Sequence, residues 1–267
     1  GIGLMGLPMS RRLLAAGLPL SVWSGDPAEC EALVDAGAQV VVHPGDLCHE
    51  ADVVMLCLAD TAAVREVVFG PGGIVETGLP GQLLVDFSSC DPAATREMAI
   101  ELEERCGMRW VDAPVSGGTP GAEAGSLAIM AGGAADDIER LRPVLAHLGQ
   151  RVTRMGEVGA GQVTKVCNQM IVACNALVIA EVVALAEQAG VDASLLAPAL
   201  AGGFADSKPL QILAPQMAES RFEPVKWHVR TLLKALDTAV KLSREQCSST
   251  PMSGLARSAE HTSELQS

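Results

Sequence analysis

The amino-acid sequence predicts an α/β fold in which a doubly wound parallel sheet is followed by an all-α domain. Short apolar runs alternate with helix-like segments through residues 20–155, and a Gly-x-Gly-x-x-Gly motif opens the chain. Residues 163–189 then form an apolar run without proline or glycine, too long for a strand. We therefore predict one domain over residues 1–157 and a helical one over residues 158–256.

Composition narrows the classes of partner. The 267 residues are 49% hydrophobic, enough for two cores, and the formal charge is −13 without any Lys/Arg block, which argues against nucleic acid. The 8 cysteines occur singly and suggest neither a metal site nor a disulfide framework. The most apolar run, residues 166–180, is short for a membrane span and carries Asn and Gln. We expect no metal, nucleic acid or membrane, and a cytoplasmic location.

The opening segment, Gly1-Ile-Gly-Leu-Met-Gly6, should follow a strand and begin a helix. Pro8 suits the first turn of that helix, and Gly17 suits its end. No strand precedes the motif in this chain. We therefore expect the first strand of a Rossmann-type sheet to be missing.

The following elements alternate strictly. We predict strands at 20–23, 39–42, 52–58, 83–87, 109–112, 127–131 and 152–155, and helices at 9–16, 28–36, 46–51, 61–69, 92–106 and 134–148. Such alternation implies a parallel sheet that binds ligands beyond the carboxyl ends of its strands. The glycine motif, Ser24, Leu58 and Ser89 occupy those ends, which predicts a dinucleotide with its pyrophosphate on a helix N-terminus.

The choice between NAD and NADP stays open. NAD sites usually have an acidic residue at the end of the second strand, and NADP sites have an arginine nearby. This chain has Ser24-Gly25-Asp26 there. Asp26 could repel a 2′-phosphate or could only cap the next helix.

Lys165 and Asn168 stand three residues apart near the start of the predicted long helix, and so on one face. Desolvation and the helix dipole would lower the pKa of such a lysine, as a general acid/base requires. The alternative is a surface lysine whose stem lies on the core. Similarly, Ser116, Gly117 and Gly118 offer bare backbone to a carboxylate, or only form a tight loop.

Several segments, in order, resemble the β-hydroxyacid dehydrogenases, a family that includes 3-hydroxyisobutyrate dehydrogenase and tartronate semialdehyde (2-hydroxy-3-oxopropionate) reductase. They are the opening glycine motif, Asp-Ala-Pro-Val-Ser-Gly-Gly at 112–118, Gly-Glu-Val-Gly-Ala-Gly-Gln-Val-Thr-Lys-Val-Cys-Asn-Gln at 156–169, and a degenerate Arg-Thr-Leu-Leu-Lys-Ala-Leu-Asp at 230–237. The resemblance implies NAD(P)-dependent hydride transfer to or from a small carboxylate substrate.

The resemblance also implies a role for each matching position. Lys165 would be the catalytic acid/base, Asn168 would orient the substrate, and Ser116, Gly117 and Gly118 would bind its carboxylate. The cofactor residues would be Gly1, Gly3, Leu4, Met5, Gly6, Ser24, Leu58, Ser89 and Arg230. Arg230-Thr231 departs from the Lys-Asp of the family, and Ala59 replaces its usual proline. A catalytically impaired nucleotide-binding relative and an imine reductase-like enzyme are the alternatives.

After residue 161 the pattern is helical, with helices predicted at 163–189, 192–201, 209–217 and 227–246. The first of these is more apolar than one small domain can bury, which predicts a homo-oligomer formed through it. Residues 257–267 lack periodicity and resemble a read-through, so we predict a non-native tail there. We also expect the last helices of the family to be missing.

Overall fold

The computed structural model describes residues 1–221 and 229–264, and the side chains of these except 229–232 and 259–264. The chain divides into two compact units, Gly1–Lys165 and Val166–Ser267. All parts of the first unit are described, and it contains every strand of the described chain.

The first unit alternates strands and helices. Its strands are β1 (Ser21–Val22), β2 (Gln39–Val40), β3 (Val53–Leu56), β4 (Leu83–Asp86), β5 (Arg109–Asp112), β6 (Val115–Ser116), β7 (Leu127–Gly132) and β8 (Gly149–Gly156). Its helices are α1 (Gly6–Ala15), α2 (Ala28–Val34), α3 (Thr61–Phe69), α4 (Pro92–Cys106), α5 (Gly118–Ala124) and α6 (Ala135–Leu145), after which α7 (Ala160–Gln188) begins. The predicted helix over residues 46–51 is instead a short 3-10 helix, Pro44–Cys48.

The strands form two sheets. β1 and β2 pair in parallel, and the second sheet has the order β3-β4-β5-β7-β6 with β8 on β7. β3, β4 and β5 are parallel, and Leu56, Asp86 and Asp112 end these strands in register. Between β1 and β3 the fully described first unit has no strand that joins the two sheets. The α/β fold with its following helical part is confirmed.

The sheet is mixed rather than wholly parallel. β7 pairs antiparallel with both β5 and β6, because the chain turns back after Asp112 through β6 and α5. The alternation of the sequence predicts a parallel sheet and contains no sign of β6, because a strand of two residues is too short to show periodicity. The turn nevertheless brings β6 directly beside β7.

Helices cover both faces of the second sheet. Each face of the sheet has its own hydrophobic core, and alternate residues of β4 point to opposite faces. Leu83 and Val85 pack with α1, α5 and α6, whereas Leu84 packs with α3 and α4. Helices α3 and α4 each have a side-chain N-cap, which is the last residue of the loop before the helix. Asp60 accepts from Ala63 N, and Asp91 accepts from Ala93 N and Ala94 N. Fixed loops therefore lie beyond β3 and β4.

The second unit is helical wherever it is described. After α7 it contains a 3-10 turn (Ala193–Leu195), α8 (Leu196–Leu200), α9 (Lys208–Ala218), α10 (Val229–Glu245) and α11 (Pro251–Glu264). Ile179 and Val183 of α7 pack with the 193–197 segment and α9, and Ala173 packs with Leu236 and Ala256. The absence of periodicity after Arg257 was misleading, since the backbone of α11 continues to Glu264.

Helix α7 is long and apolar enough to cross a membrane by length and composition alone, and 22% of its most apolar window is buried. Our expectation from the sequence used residues 166–180, and the helix is much longer than that run. A single helix of this kind is weak evidence for a span, because core and interface helices share its composition.

Candidate active site

The start of α7 is held by one carboxylate. Asp112, at the end of β5, accepts hydrogen bonds from the backbone N–H of Gly159 (2.7 Å) and Gln162 (2.8 Å). These N–H groups have no partner inside the helix, and an anionic acceptor also suits the positive end of the helix dipole. The carboxylate of β5 thus fixes where α7 begins.

Glycine allows this helix to lie directly against the sheet. A Cβ at Gly161 would stand 2.3 Å from the Met130 carbonyl oxygen and 2.8 Å from that of Asp112. Gly159 has a φ of 90°, which a residue with a side chain rarely adopts. Gly161 is therefore required by close approach and Gly159 by backbone conformation, four and six residues before Lys165.

Lys165 points back into its own unit. Its Nζ donates a 2.8 Å hydrogen bond to the carbonyl oxygen of Val115, in β6. The residue is half-buried, and desolvation lowers the pKa of its amine. The amine does not extend into solvent as the surface-lysine alternative requires, because it donates a hydrogen bond to Val115, the residue before Ser116.

The Ser116–Gly118 segment is a turn between strand and helix rather than a plain loop. Ser116 ends β6, and Gly118 begins α5. Gly117 and Gly118 have φ values of 140° and 61°, and both are exposed. The turn therefore offers backbone without side chains one residue beyond the carbonyl that receives Lys165.

Gln162 links α7 to the loop after β4. Its side-chain amide donates to Ser88 O (2.9 Å) and accepts from Cys90 N (3.0 Å), and the residue is 1% exposed. Ser88 Oγ in turn accepts from the backbone N–H of Leu58 at 2.9 Å. Helix α7, which contains Lys165, is thereby connected to the loops after β3 and β4, where Leu58 and the exposed Ser89 lie.

The glycine motif reaches the same edge of the sheet. A Cβ at Gly1 would be 2.8 Å from Leu58 Cδ2, and one at Gly6 would be 2.1 Å from Gly1 O. Gly3 has open space around it, and Leu4 is 84% exposed. The turn is thus closely packed at Gly1 and Gly6 and exposed at Gly3 and Leu4. Together with the first turn of α1, which follows it, this backbone fits a pyrophosphate group. Met5 packs its side chain on the core below.

Ser24 follows β1 and is nearly buried, and its hydroxyl donates to the Glu29 carboxylate. Asp26 Oδ1 accepts from Ala28 N at 3.0 Å, so Asp26 caps the turn into α2. This bond fits the local role considered for Asp26 at the start of α2, and repulsion of a 2′-phosphate stays a prediction. Glu29, for which the sequence alone indicated no role, supplies the acidic group at Ser24.

Two predicted residues are not brought to this cluster by the described contacts. Asn168 belongs to the second unit, and its Nδ2 donates to Gln169 Oε1 at 3.5 Å. The backbone of Arg230 lies in α10, but its side chain and that of Thr231 fall outside the described residues. Their roles stay predictions.

Sequence reasoning missed the polar residues that support the site. Asp86 and Asp112 are fully buried neighbours in register, and burial raises the pKa of each to about 6. Asp86 accepts from Ser88 N at 2.9 Å, so both carboxylates hold loops beyond the strands. An acidic residue that ends an apolar run, as each of these does, was the available signal.

Comparison with known proteins agrees with this geometry. A family model described as the NAD binding domain of 6-phosphogluconate dehydrogenase matches residues 1–156. A second, described as NAD-binding of NADP-dependent 3-hydroxyisobutyrate dehydrogenase, matches residues 159–265. The cofactor of the chain is therefore a nicotinamide dinucleotide, NAD or NADP.

Individual relatives cover most of the chain. It is 37% identical over 246 residues to 2-hydroxy-3-oxopropionate reductase of Escherichia coli (strain K12), covering 91% of this chain and 84% of that one. The solved Mycobacterium tuberculosis 3-hydroxyisobutyrate dehydrogenase with L-serine has a TM-score of 0.88 at 30% identity, covering 98% and 91%. A Streptomyces aurantiacus imine reductase, at 22% identity and a TM-score of 0.70 over 98% and 92%, shares the fold alone. The predicted resemblance is confirmed, and the chain belongs to the β-hydroxyacid dehydrogenase family, a family of NAD(P)-dependent oxidoreductases.

Proposed function

We propose that this enzyme transfers a hydride between nicotinamide and a small β-hydroxy acid or semialdehyde acid, of the 2-hydroxy-3-oxopropionate or 3-hydroxyisobutyrate type, with Lys165 as general acid/base. The hydrogen bond between Lys165 Nζ and Val115 O carries the proposal. It keeps a desolvated amine at the segment with the exposed Gly117 and Gly118. The names of the relatives support the substrate class.

The lowered pKa of Lys165 suits both directions of the reaction. During oxidation the neutral amine accepts the proton of the substrate hydroxyl, and during reduction the ammonium returns a proton to the carbonyl oxygen. In the second case its charge also stabilises the developing alkoxide. Bound nicotinamide supplies or accepts the hydride itself. The Val115 carbonyl takes one hydrogen of the ammonium and leaves the others for the substrate.

The substrate carboxylate would be held by Ser116, Gly117 and Gly118. The serine hydroxyl and the backbone N–H groups of the turn are donors, and the absence of glycine side chains lets an anion approach closely. We retain Asn168 as the residue that orients the substrate and Arg230 as a cofactor contact within the same proposal. The glycine motif, Ser24, Leu58 and Ser89 would hold the cofactor.

The test is a cofactor-reduction assay over a panel of small hydroxy acids, with Lys165→Ala and Lys165→Met beside the wild type. The methionine variant keeps the apolar stem and removes only the amine. We expect kcat to fall by about a thousandfold in both, the usual size of an acid/base contribution.

Lys208→Ala is the matched control, because Lys208, the first residue of α9, also lies near the start of a helix but is exposed. It should leave turnover unchanged. If both Lys165 variants stay within about tenfold of the wild type, which is under about 1.4 kcal/mol of barrier, the amine is not the acid/base.

We also propose that the enzyme is a homo-oligomer that pairs through α7. Ile171, Val178, Val182 and Leu185 of this helix are 63%, 51%, 39% and 68% exposed. Their spacing of seven, four and three residues makes one stripe along the helix, and such a stripe is typical of a face that another helix covers. A second copy of the chain provides a self-complementary partner.

A cytoplasmic location completes the proposal. All eight cysteines are free, and Cys30, Cys48 and Cys90 are buried. Burial raises the pKa of the Cys48 and Cys90 thiols, so they stay protonated and act as apolar core groups. Free thiols in this number are typical of a reducing compartment.

A further inference from the structure

We infer that Glu29 selects NAD over NADP as the dinucleotide of this enzyme. This inference rests on the proposed function, in which the glycine motif and Ser24 hold the cofactor. It concerns a residue for which the sequence alone suggested no role, since the acidic residue that drew attention was Asp26. Asp26 instead caps the turn into α2 through Ala28 N.

Glu29 lies in the first turn of α2, but its side chain reaches back to the end of β1. The Ser24 hydroxyl donates to Glu29 Oε2, and Ser24 is nearly buried, so the carboxylate is anchored on a fixed group. Its other oxygen accepts no hydrogen bond from any residue that the structure describes. Glu29 is itself exposed, so that free oxygen is available to a ligand.

The same carboxylate faces the glycine motif. Glu29, Ile2, Gly3 and Leu4 line one cavity of about 970 Å³ beside α1. A dinucleotide whose pyrophosphate lies on the first turn of α1 extends its adenosine ribose toward the end of the strand that follows this helix, which is β1. Glu29 therefore meets the 2′ position of that ribose.

The chemistry at this position differs between the two nucleotides. The 2′-hydroxyl of NAD can donate a hydrogen bond to the free Glu29 oxygen, as acidic residues at this place in dinucleotide sites do. The 2′-phosphate of NADP would bring like charge against the same carboxylate, which costs affinity. Glu29 thus both attracts the first nucleotide and repels the second.

Two arginines of the cavity could oppose this effect. Arg12 is already engaged, since its Nε donates to His147 O (2.7 Å) and its Nη1 to Glu123 O (3.1 Å). Arg11 also lines the cavity and is exposed. It is the residue that would accept a 2′-phosphate if the enzyme preferred NADP, and it enters the test for that reason.

The experiment measures the Kd of NADH and NADPH by isothermal titration calorimetry, for the wild type, Glu29→Gln and Glu31→Gln. Glu31→Gln is the matched control, because it removes a carboxylate from the same turn of α2. We expect the wild type to bind NADH at least about tenfold more tightly than NADPH. Glu29→Gln should reduce this ratio to about threefold or less, mainly by tightening NADPH, and Glu31→Gln should preserve it.

The outcomes separate the inference from the proposed function. If both nucleotides bind and Glu29→Gln leaves their ratio unchanged, the inference is wrong and the proposed function survives. If the wild type prefers NADPH and Arg11→Ala removes that preference, Arg11 selects the nucleotide and Glu29 does not. If the folded wild type binds neither, both are wrong. Equal melting temperatures of the variants verify that folding is intact.

Discussion

At the scale of single residues, Lys165 provides the amine of the site and Asp112 fixes the helix that carries it. Asp112 fixes the start of α7 through Gly159 N and Gln162 N, and Lys165 follows three residues after Gln162. The amine then reaches Val115 O because α7 begins beside β6. A change at either residue would thus affect the hydrogen bond between Lys165 Nζ and Val115 O. A change at Lys165 would remove the amine, and a change at Asp112 would move it.

The lysine, the glycines and Ser116 could be identified as candidate site residues from the sequence because they lie in recognisable segments; their roles stay predictions. Asp112 and Gln162 could not be given roles, because their hydrogen-bond partners are 47 to 74 residues away in the chain. Glu29 was missed for a different reason. It lies five residues after Ser24 in the sequence, and only the structure shows that its side chain returns to the Ser24 hydroxyl.

Asp86 provides a prediction for stability. The pKa of its carboxyl is about 6 in the folded state, against about 3.9 in an unfolded chain, because burial disfavours the charge. The folded state therefore binds the proton more tightly, and unfolding free energy falls as pH rises from about 4 to about 6. Asp86→Asn removes this loss and still accepts from Ser88 N.

We expect Asp86→Asn to gain on the order of 2 to 3 kcal/mol relative to the wild type between pH 4 and pH 7. Urea unfolding at a series of pH values measures the difference. Asp35→Asn, at an exposed position, should show no such trend. A gap between Asp86→Asn and wild type that stays constant over this pH range would contradict the argument.

At the scale of elements, α7 is where pattern and structure agree best. Its length and apolar character were evident, and it begins at Ala160, three residues before the predicted start. The elements that were missed, β6 and α5, are a two-residue strand and a seven-residue helix rich in glycine. Neither is long enough for periodicity; β6 is paired with β7, and Ala122 of α5 lies in one core cluster with Leu127 of β7.

The contact of α7 with the sheet predicts the effect of one methyl group. In Gly161→Ala the added Cβ would stand 2.3 Å from Met130 O, so the helix must move away from β7. We expect a loss of about 1 to 3 kcal/mol in unfolding free energy and a lower kcat, because Lys165 moves with the helix.

Gly254→Ala is the control for this substitution. Gly254 lies inside α11, and a Cβ there has nothing within 4 Å. We expect this variant to be unchanged or more stable by about 0.5 to 1 kcal/mol. Chemical unfolding measures both variants, and a Gly161→Ala protein as stable as the wild type would refute the close contact.

At the scale of the whole molecule, different interactions stabilise the two units. The first is held by a sheet with helices on both faces, and its polar groups at the strand ends are satisfied by long-range hydrogen bonds. The second buries small clusters and leaves one side of α7 open. The sequence could predict both classes of fold, but the packing of short elements depends on contacts that no local pattern contains.

The open stripe on α7 predicts an oligomer that dilution dissociates. We expect light scattering after size exclusion to give a multiple of 27.6 kDa, and the melting temperature to rise with protein concentration. Ile171→Glu or Leu185→Glu should shift the mass toward the single chain, because a charge would lie in the interface.

Glu187→Lys is the corresponding control, since it changes an exposed charge of α7 outside the stripe. It should leave the mass unchanged. A single-chain mass at every concentration tested would rule out the oligomer.

The carboxylate that anchors α7 makes the start of this helix sensitive to pH. Burial raises the pKa of Asp112 to about 6, whereas a helix start released into solvent would return this carboxyl to its ordinary, lower pKa. Proton uptake therefore favours the anchored state, in which Gly159 N and Gln162 N lie against Asp112. The helix start is thus weakest at neutral and alkaline pH, where a charged carboxylate has to remain desolvated, and mild acidification strengthens it.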